Sequence, residues 1–153
     1  MTPAPRRGLA EAHRLQSVMG RPHREGDLGP ALAAGRESLA GFERLLGERH
    51  PDTAAAMNNL GLVLKDQGDL ASARPLLETA AAVRKEALGA NHPDHAQSLN
   101  NIAALLQAMG GYRAALALAE RALAIRRQAL GPGHPDYAQS LNNLSMKRLA
   151  SGD

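Results

Sequence analysis

His92-Pro93-Asp94-His95-Ala96-Gln97-Ser98-Leu99-Asn100-Asn101 is the stretch that decides the fold of this chain of 153 residues. Its His-Pro-Asp start and its Asn-Asn end recur 42 residues earlier, between His50 and Asn59, and 42 residues later, between His134 and Asn143. A fixed period of roughly 20–50 residues is typical of repeat architectures. The sequence therefore predicts an array of repeats instead of a domain with one central core.

Each 42-residue unit is predicted to form two helices joined by a tight turn. Pro51 suits the first helical turn, where its missing N–H is not needed, and Asp52 is placed against the positive end of the helix dipole. The spacing i, i+3, i+4, i+7 of one apolar face is found at Met57, Leu60, Gly61 and Leu64. Gly68 is the expected helix stop. The second helix is expected to bury Leu70, Ala73, Leu77, Ala80 and Val83.

The repeat register also divides the chain into segments. Residues 1–25 are predicted to be an irregular or degenerate N-terminal segment with a short helix from Gly8 to Met19, broken at Gly20 and Pro22. The repeat array itself covers 26–153. It consists of the second helix of a degenerate repeat (26–45), two full repeats (46–87 and 88–129) and a half repeat or capping helix (130–153). A truncated array would end in the same way as a capping helix, and both alternatives stay open.

The full repeat resembles a known family. From Leu88 to Arg126 it reads L-G-x-x-H-P-D-x-A-x-S-L-N-N-I-A-x-L-L-x-x-x-G-x-Y-x-x-A-x-x-L-x-x-R-A-L-x-I-R, and this run resembles the tetratricopeptide repeats of the kinesin light chain type. The resemblance covers residues 46–153 and, more weakly, 26–45. It implies an all-α fold, a right-handed α-solenoid of antiparallel helix pairs (a TPR superhelix), in which the first helices line a concave groove.

By this resemblance, the polar positions of the first helices are predicted to face the groove and to bind a peptide. The predicted peptide-binding residues are Asn58, Asn59, Leu62, Lys65, Gln97, Asn100, Asn101, Ala104, Gln107, Gln139, Asn142, Asn143 and Met146. An Asn amide both donates and accepts hydrogen bonds, so a ladder of such amides can pair with the backbone of an extended peptide. The alternative is that one Asn of each pair bridges neighbouring helices and satisfies buried polar groups. Both roles stay open for each pair.

The histidines suggest a metal site, but their spacing argues against one. Helices pack about 8–10 Å apart, so His50, His92 and His134, each two helices from the next, are too distant to share one ion. His95 lies near His92, yet no Cys or carboxylate of suitable spacing completes a ligand set. Each His-Pro-Asp is therefore interpreted as a helix start, and no metal or other cofactor is expected.

Catalysis and nucleic-acid binding are not predicted. The chain has no Cys nucleophile, no G-x-x-x-x-G-K-[ST] or G-x-G-x-x-G phosphate loop and no G-x-S-x-G motif. The net charge is only +3, and aromatic residues make up 2% of the chain. The usual nucleic-acid footprint is a clustered basic patch, often with stacking aromatics. Arg84-Lys85 and Arg126-Arg127 fall in the last turns of second helices, where cations complement the dipole; a ligand role for them is the alternative.

The sequence thus predicts a non-enzymatic protein-interaction module that binds a peptide or a partner segment of unknown identity. The alternatives are a self-associating scaffold that pairs through open solenoid ends and a fragment of a larger multidomain regulatory protein. No stretch approaches the roughly 18 apolar residues of a membrane span, and the N-terminus lacks the apolar run of a signal peptide. A cytoplasmic location without membrane contact is therefore expected.

Overall fold

The computed structural model describes residues 3–19 and 28–152, and the regular structure of these residues is entirely helical. The helices are α1 (Pro3–Met19), α2 (Leu28–Leu46), α3 (Pro51–Gln67), α4 (Leu70–Leu88), α5 (Pro93–Ala108), α6 (Tyr112–Leu130) and α7 (Pro135–Ser151). The first helix therefore begins earlier than the short helix expected from the sequence. The predicted break at Gly20 and Pro22 lies outside the described residues.

The chain divides into two compact units, unit 1 (Met1–Val83) and unit 2 (Arg84–Asp153). Unit 1 contains α1, α2, α3 and most of α4. Unit 2 contains the last residues of α4 and all of α5, α6 and α7. The boundary therefore falls inside α4.

Histidine side chains cap the first helix of every repeat. The N–H of Asp52 donates to Nδ1 of His50 at 3.1 Å, and the same bond of 3.1 Å joins the residues 42 and 84 positions further on, Asp94 to His92 and Asp136 to His134. Pro occupies the first turn of each of these helices. An N-cap acceptor satisfies one of the N–H groups that a helix start leaves without a partner. The prediction that His-Pro-Asp is a helix start is confirmed.

Glycines in the left-handed conformation separate the helices. Gly68 has a φ of 91°, and its N–H bonds back to the carbonyl groups of Leu64 and Lys65 at the end of α3. A residue with a Cβ adopts this conformation only at a steric cost, so glycine is favoured. The predicted helix stop at Gly68 is confirmed. Glycines of positive φ recur in both turn positions of the repeat: Gly47, Gly68, Gly89, Gly110, Gly131 and Gly152.

The core of unit 1 is built from small and branched side chains. Ala12, Phe42 and Ala56 form one buried cluster that joins α1, α2 and α3. A second cluster joins α3 and α4 and consists of Ala54, Met57, Ala80 and Val83. Gly61 permits the closest approach of these two helices, because a Cβ at this position would lie 2.8 Å from Cγ of Leu77.

Unit 2 repeats this packing in a second layer. Between α5 and α6 the buried cluster consists of Ala96, Leu99, Ala122 and Ile125. A further cluster extends to α7 and consists of Ala103, Ala115, Ala119 and Leu144. The side chains predicted to form the apolar faces of α5 and α6 therefore do form the core, and they pack as two antiparallel neighbours joined by a tight turn.

A buried arginine fastens each second helix to the first helix that follows it. Nη1 of Arg84 donates to Oγ of Ser98 at 2.9 Å and, less closely, to a carbonyl oxygen of α5 at 3.3 Å. Nη1 of Arg126 donates to Oγ of Ser140 at 2.7 Å. Burial lowers the pKa of Arg126 below its usual value, and the neighbouring Asp136 carboxylate partly opposes this.

The helix-dipole interpretation of these basic pairs is therefore corrected for one member of each. Lys85 and Arg127 are exposed and lie in the last helical turns, as that interpretation requires. Arg84 and Arg126 are buried instead and bond to the next helix. The physical reason is that the guanidinium, with five donors in a fixed geometry, can reach across to a hydroxyl and a carbonyl together.

Candidate functional site

The first helices of unit 2, α5 and α7, lie side by side and are joined by two side-chain hydrogen bonds. Nδ2 of Asn100 donates to Oγ of Ser140 at 3.4 Å. Nζ of Lys147 donates to Oε1 of Gln107 at 3.0 Å. In both bonds the partners are 40 residues apart, so the two helices are aligned in register. The residues of α5 and α7 that share a register position therefore form rows on one surface.

The first Asn of each pair has an environment that differs between layers. The side chain of Asn58 is only 2% exposed, so its amide is buried inside the protein. Asn100 is half-buried and bonds to α7, as described above. Asn142 is exposed. The bridging role that the sequence left open is thus the one that Asn100 performs, and Asn58 is not included among the ligand contacts proposed below.

The second Asn lies on the side of each first helix that points away from the paired second helix. At about 100° per residue, Gln97, Asn101 and Ala104 fall within an arc of roughly 60° on α5. Leu99, which packs on α6, lies roughly 160° from Asn101 on the same wheel. Gln97 is exposed, whereas Asn101 and Ala104 are half-buried.

Three residues of α7 occupy the same register positions as this arc. They are Gln139, Asn143 and Met146; Asn143 is half-buried, Gln139 is exposed, and Met146 is 69% exposed. We refer to the six residues as the candidate face: Gln97, Asn101, Ala104, Gln139, Asn143 and Met146. The bonded pair Gln107 and Lys147 lies beside it.

In unit 1, α3 presents the predicted residues of its own layer. Asn59, Leu62 and Lys65 are all half-buried. Nζ of Lys65 forms an ion pair with Oδ1 of its neighbour Asp66 at 2.8 Å. The chemistry of this helix is thus the same as that of α5, an amide followed by an apolar side chain, with a cation at its end.

The described residues contain no sign of a metal centre. In the ranges 3–19 and 28–152, no group of three or more His, Cys, Asp or Glu side chains could hold a metal ion. The Nδ1 atoms of His50, His92 and His134 accept backbone N–H bonds. Likewise, none of the helices that the structure describes is both long enough and apolar enough to cross a membrane.

Consecutive antiparallel helices with a 42-residue period, small residues at the helix contacts and a polar face on the first helices define a helical-repeat protein. Comparison with protein families identifies the repeat. The profile of the tetratricopeptide repeat matches residues 23–86, 55–128 and 94–153. The chain therefore belongs to the tetratricopeptide repeat family, as its sequence predicted. Repeats of this family are generally protein-interaction modules and typically serve as non-enzymatic scaffolds.

Solved structures support the same fold. BtubC (BKLC) from P. vanneervenii is 22% identical, with a TM-score of 0.81 over 93% of this chain and 57% of its own. A putative kinesin light chain from Podosopora anserina with nearly identical TPR-like repeats is 24% identical, with a TM-score of 0.80 over 99% of this chain and 70% of its own. A second crystal structure of that protein, a variant form, is 23% identical, with the same TM-score and coverage.

These likenesses show the fold. The predicted all-α tetratricopeptide solenoid class is confirmed, and so is the similarity to kinesin light chain-like repeats. The chain spans little more than half the length of BtubC. No curated protein sequence matches the chain.

Proposed function

We propose that this protein binds an extended segment of a partner protein along the candidate face of unit 2. The observation that carries the proposal is the repetition of one surface pattern on two aligned helices. Each helix presents a glutamine, an asparagine and, one turn later, a smaller or more flexible apolar side chain, on the side that its own second helix leaves uncovered.

The chemistry of the face suits a peptide backbone. Each amide side chain offers two donors and one acceptor, so Asn101 and Asn143 can pair with the C=O and N–H groups of an extended chain without reading its sequence. Met146 is unbranched and flexible, and such side chains adapt to different apolar partners. The face therefore combines a backbone grip with one adaptable apolar contact.

The equivalent side chains of α3 are Asn59, Leu62 and Lys65. That they also bind peptide stays a prediction from the sequence. Asn58 and Asn100 are assigned a positioning role in the proposal, because the first is buried and the second bonds to Ser140.

The test selects peptides from a displayed library of random 12-residue segments and measures their affinity for the full chain by fluorescence anisotropy. The double variant Asn101→Ala/Asn143→Ala should weaken binding roughly thirtyfold, because two hydrogen bonds of about 1 kcal/mol each are lost. The matched control is Asn142→Ala, which removes the same group from an exposed position next to the face. It should change the affinity by less than about twofold.

Two results would contradict the proposal. One is a library that yields no enriched peptide. The other is a set of enriched peptides whose affinity is the same for the double variant and for the unchanged protein. Circular dichroism of each variant confirms that helicity is retained, so that loss of binding reports on the face itself.

A further inference from the structure

The two first helices of unit 2 carry nearly the same sequence, yet one of their faces is covered only in α5. On α5, the residues that pack toward α6 are fully buried at Ala96, Leu99 and Ala103. The equivalent residues of α7 are Ala138, Leu141 and Ser145, and all three are exposed. The contrast is largest for the leucines, since Leu99 is 5% exposed and Leu141 is 40% exposed. We refer to these three residues as the open face of α7.

A pocket continues the open face onto α6. Its volume is about 450 Å³, and it is lined by Glu120, Leu123, Ala124, Arg127, Gln128 and Tyr137. Leu123 and Tyr137 are only half-buried there. The residues at the same register one repeat earlier, Ala81 and His95, are buried. The pocket and the open face are thus one uncovered surface at positions that are buried elsewhere in the chain.

The chain itself shows what fits such a surface. The face of α6 that covers α5 carries small residues at Ala115, Ala119 and Ala122 and a branched residue at Ile125. The spacing is i, i+4, i+7 and i+10. In unit 1, α4 meets α3 with the same spacing, through Ala73, Leu77, Ala80 and Val83. Small residues at this spacing let two helix backbones approach closely, and an apolar branched residue then fills the end of the contact.

We propose that the open face of α7, together with the adjoining pocket, binds one amphipathic helix of a partner protein that carries this pattern. The bound helix would complete with α7 the pairing that α6 completes with α5. The helices of a second copy do not meet the requirement, because α4 and α6 already bury their patterned faces within their own units. The occupant is therefore a helix whose apolar face is free before binding.

This site is separate from the candidate face that is proposed to bind an extended peptide. Leu141 and Met146 lie roughly 140° apart around α7, on different sides of the helix. Substitutions of one therefore leave the other surface intact, and the two proposals can fail independently.

The test uses a fluorescein-labelled 19-residue peptide with the sequence Tyr112–Leu130 as the probe helix and measures anisotropy against the full chain. We expect saturable one-to-one binding. Leu141→Arg should weaken it at least about tenfold, since a charge would replace a buried apolar contact. Met146→Arg is the matched control, with the same new charge on the other side of α7, and it should change the affinity by less than about twofold. A probe with Glu at its Ala119 position should not bind.

Several outcomes would overturn the proposal. They are an absence of saturable binding, equal affinity for Leu141→Arg and the unchanged protein, and equal loss in Leu141→Arg and Met146→Arg. Sedimentation of the protein alone adds a further test. A concentration-dependent dimer that Leu141→Arg abolishes would replace the partner helix by a second copy. Leu141 is already partly exposed, so circular dichroism should show unchanged helicity in both variants.

Discussion

The bond between Arg126 and Ser140 offers the sharpest test of how the repeats are held together. The guanidinium is buried, and its Nη1 donates to Oγ of Ser140 at 2.7 Å and to the carbonyl oxygen of Asp136 at 3.2 Å. Two repeats earlier, the same register positions hold Phe42 and Ala56, which pack together in a buried apolar cluster. The chain therefore contains two solutions to one contact, a polar one and an apolar one.

The two solutions give a quantitative expectation. Arg126→Ala removes two hydrogen bonds from a charged donor, each of which contributes about 1.5–3 kcal/mol. Part of this is offset, because burial of the guanidinium is itself unfavourable, as the lowered pKa of Arg126 indicates. The net loss in the free energy of unfolding should be about 2–3 kcal/mol, which corresponds to a decrease of roughly 5–10 °C in Tm for a chain of this size.

Replacing both partners should cost far less than replacing one. Ser140→Ala alone should cost about 1 kcal/mol, the value of a typical hydrogen bond. The double variant Arg126→Phe/Ser140→Ala reproduces the apolar pair of the earlier repeat. It should stay within about 1 kcal/mol of the unchanged protein, because an apolar replacement of both partners leaves no buried polar group unsatisfied.

The assay is urea unfolding followed by circular dichroism, with Arg127→Ala as the matched control. Arg127 is the exposed neighbour in the last turn of α6, and its removal should cost less than about 0.5 kcal/mol. The reasoning is refuted if Arg126→Ala is no more destabilising than Arg127→Ala. It is also refuted if the double variant loses as much as Arg126→Ala and Ser140→Ala added together.

Three further predictions address the caps and the close helix contact. His92→Ala should destabilise the protein by about 1 kcal/mol in thermal unfolding, whereas His92→Asn, which restores an N-cap acceptor, should recover most of this; equal effects would contradict the capping role. Gly61→Ala should cost about 1–2 kcal/mol in urea unfolding, because its Cβ would overlap Leu77, and Gly61→Ala/Leu77→Ala should cost less than the two single changes added together. The pKa of Asp69 is lowered by hydrogen bonds from Ser72, so its stabilising effect is present above its unfolded pKa and disappears as the pH falls through the lower folded value; Asp69→Asn should flatten the pH dependence of Tm on the acid side, and an unchanged acid-side slope would contradict this.

The fold could be predicted from the sequence because each local signal agrees with the repeat. The 42-residue period, the proline after each capping histidine and the glycine after each helix all mark the same boundaries. The small residues at the helix contacts follow the same register, as at Gly61 and Ala103. Agreement between the levels of structure is what makes a sequence specify one fold.

The arginine contact could not be predicted from local signals. Arg84 and Arg126 fall where the helix dipole alone gives a sufficient explanation, and their serine partners lie 14 residues further along, in the next helix. One signal was available in the sequence. The register that carries Arg and Ser in two repeats carries Phe42 and Ala56 in the degenerate one, and a paired change of this kind indicates contact.

The roles within each asparagine pair were also beyond the sequence. Neighbouring residues on a helix differ by about 100°, so both members of a pair fit on a broad polar side. Only the position of the adjacent helix separates them. In unit 2 that helix accepts a bond from Asn100, which leaves Asn101 on the candidate face. Reading the sequence alone therefore identified the correct polar side of the helix without ordering the residues on it.

The sequence differences between α5 and α7 limit what the open face can bind. Leu141 repeats Leu99 although it is exposed, whereas the later core positions Leu105 and Leu106 become Lys147 and Arg148. Lys147 bonds to α5, and Arg148 forms an ion pair with Glu120 of α6 at 3.2 Å. The apolar part of the surface is therefore confined to the N-terminal half of α7. A helix bound there would make its close contact over about two to three turns, so its small residues, and not its full length, should determine the affinity.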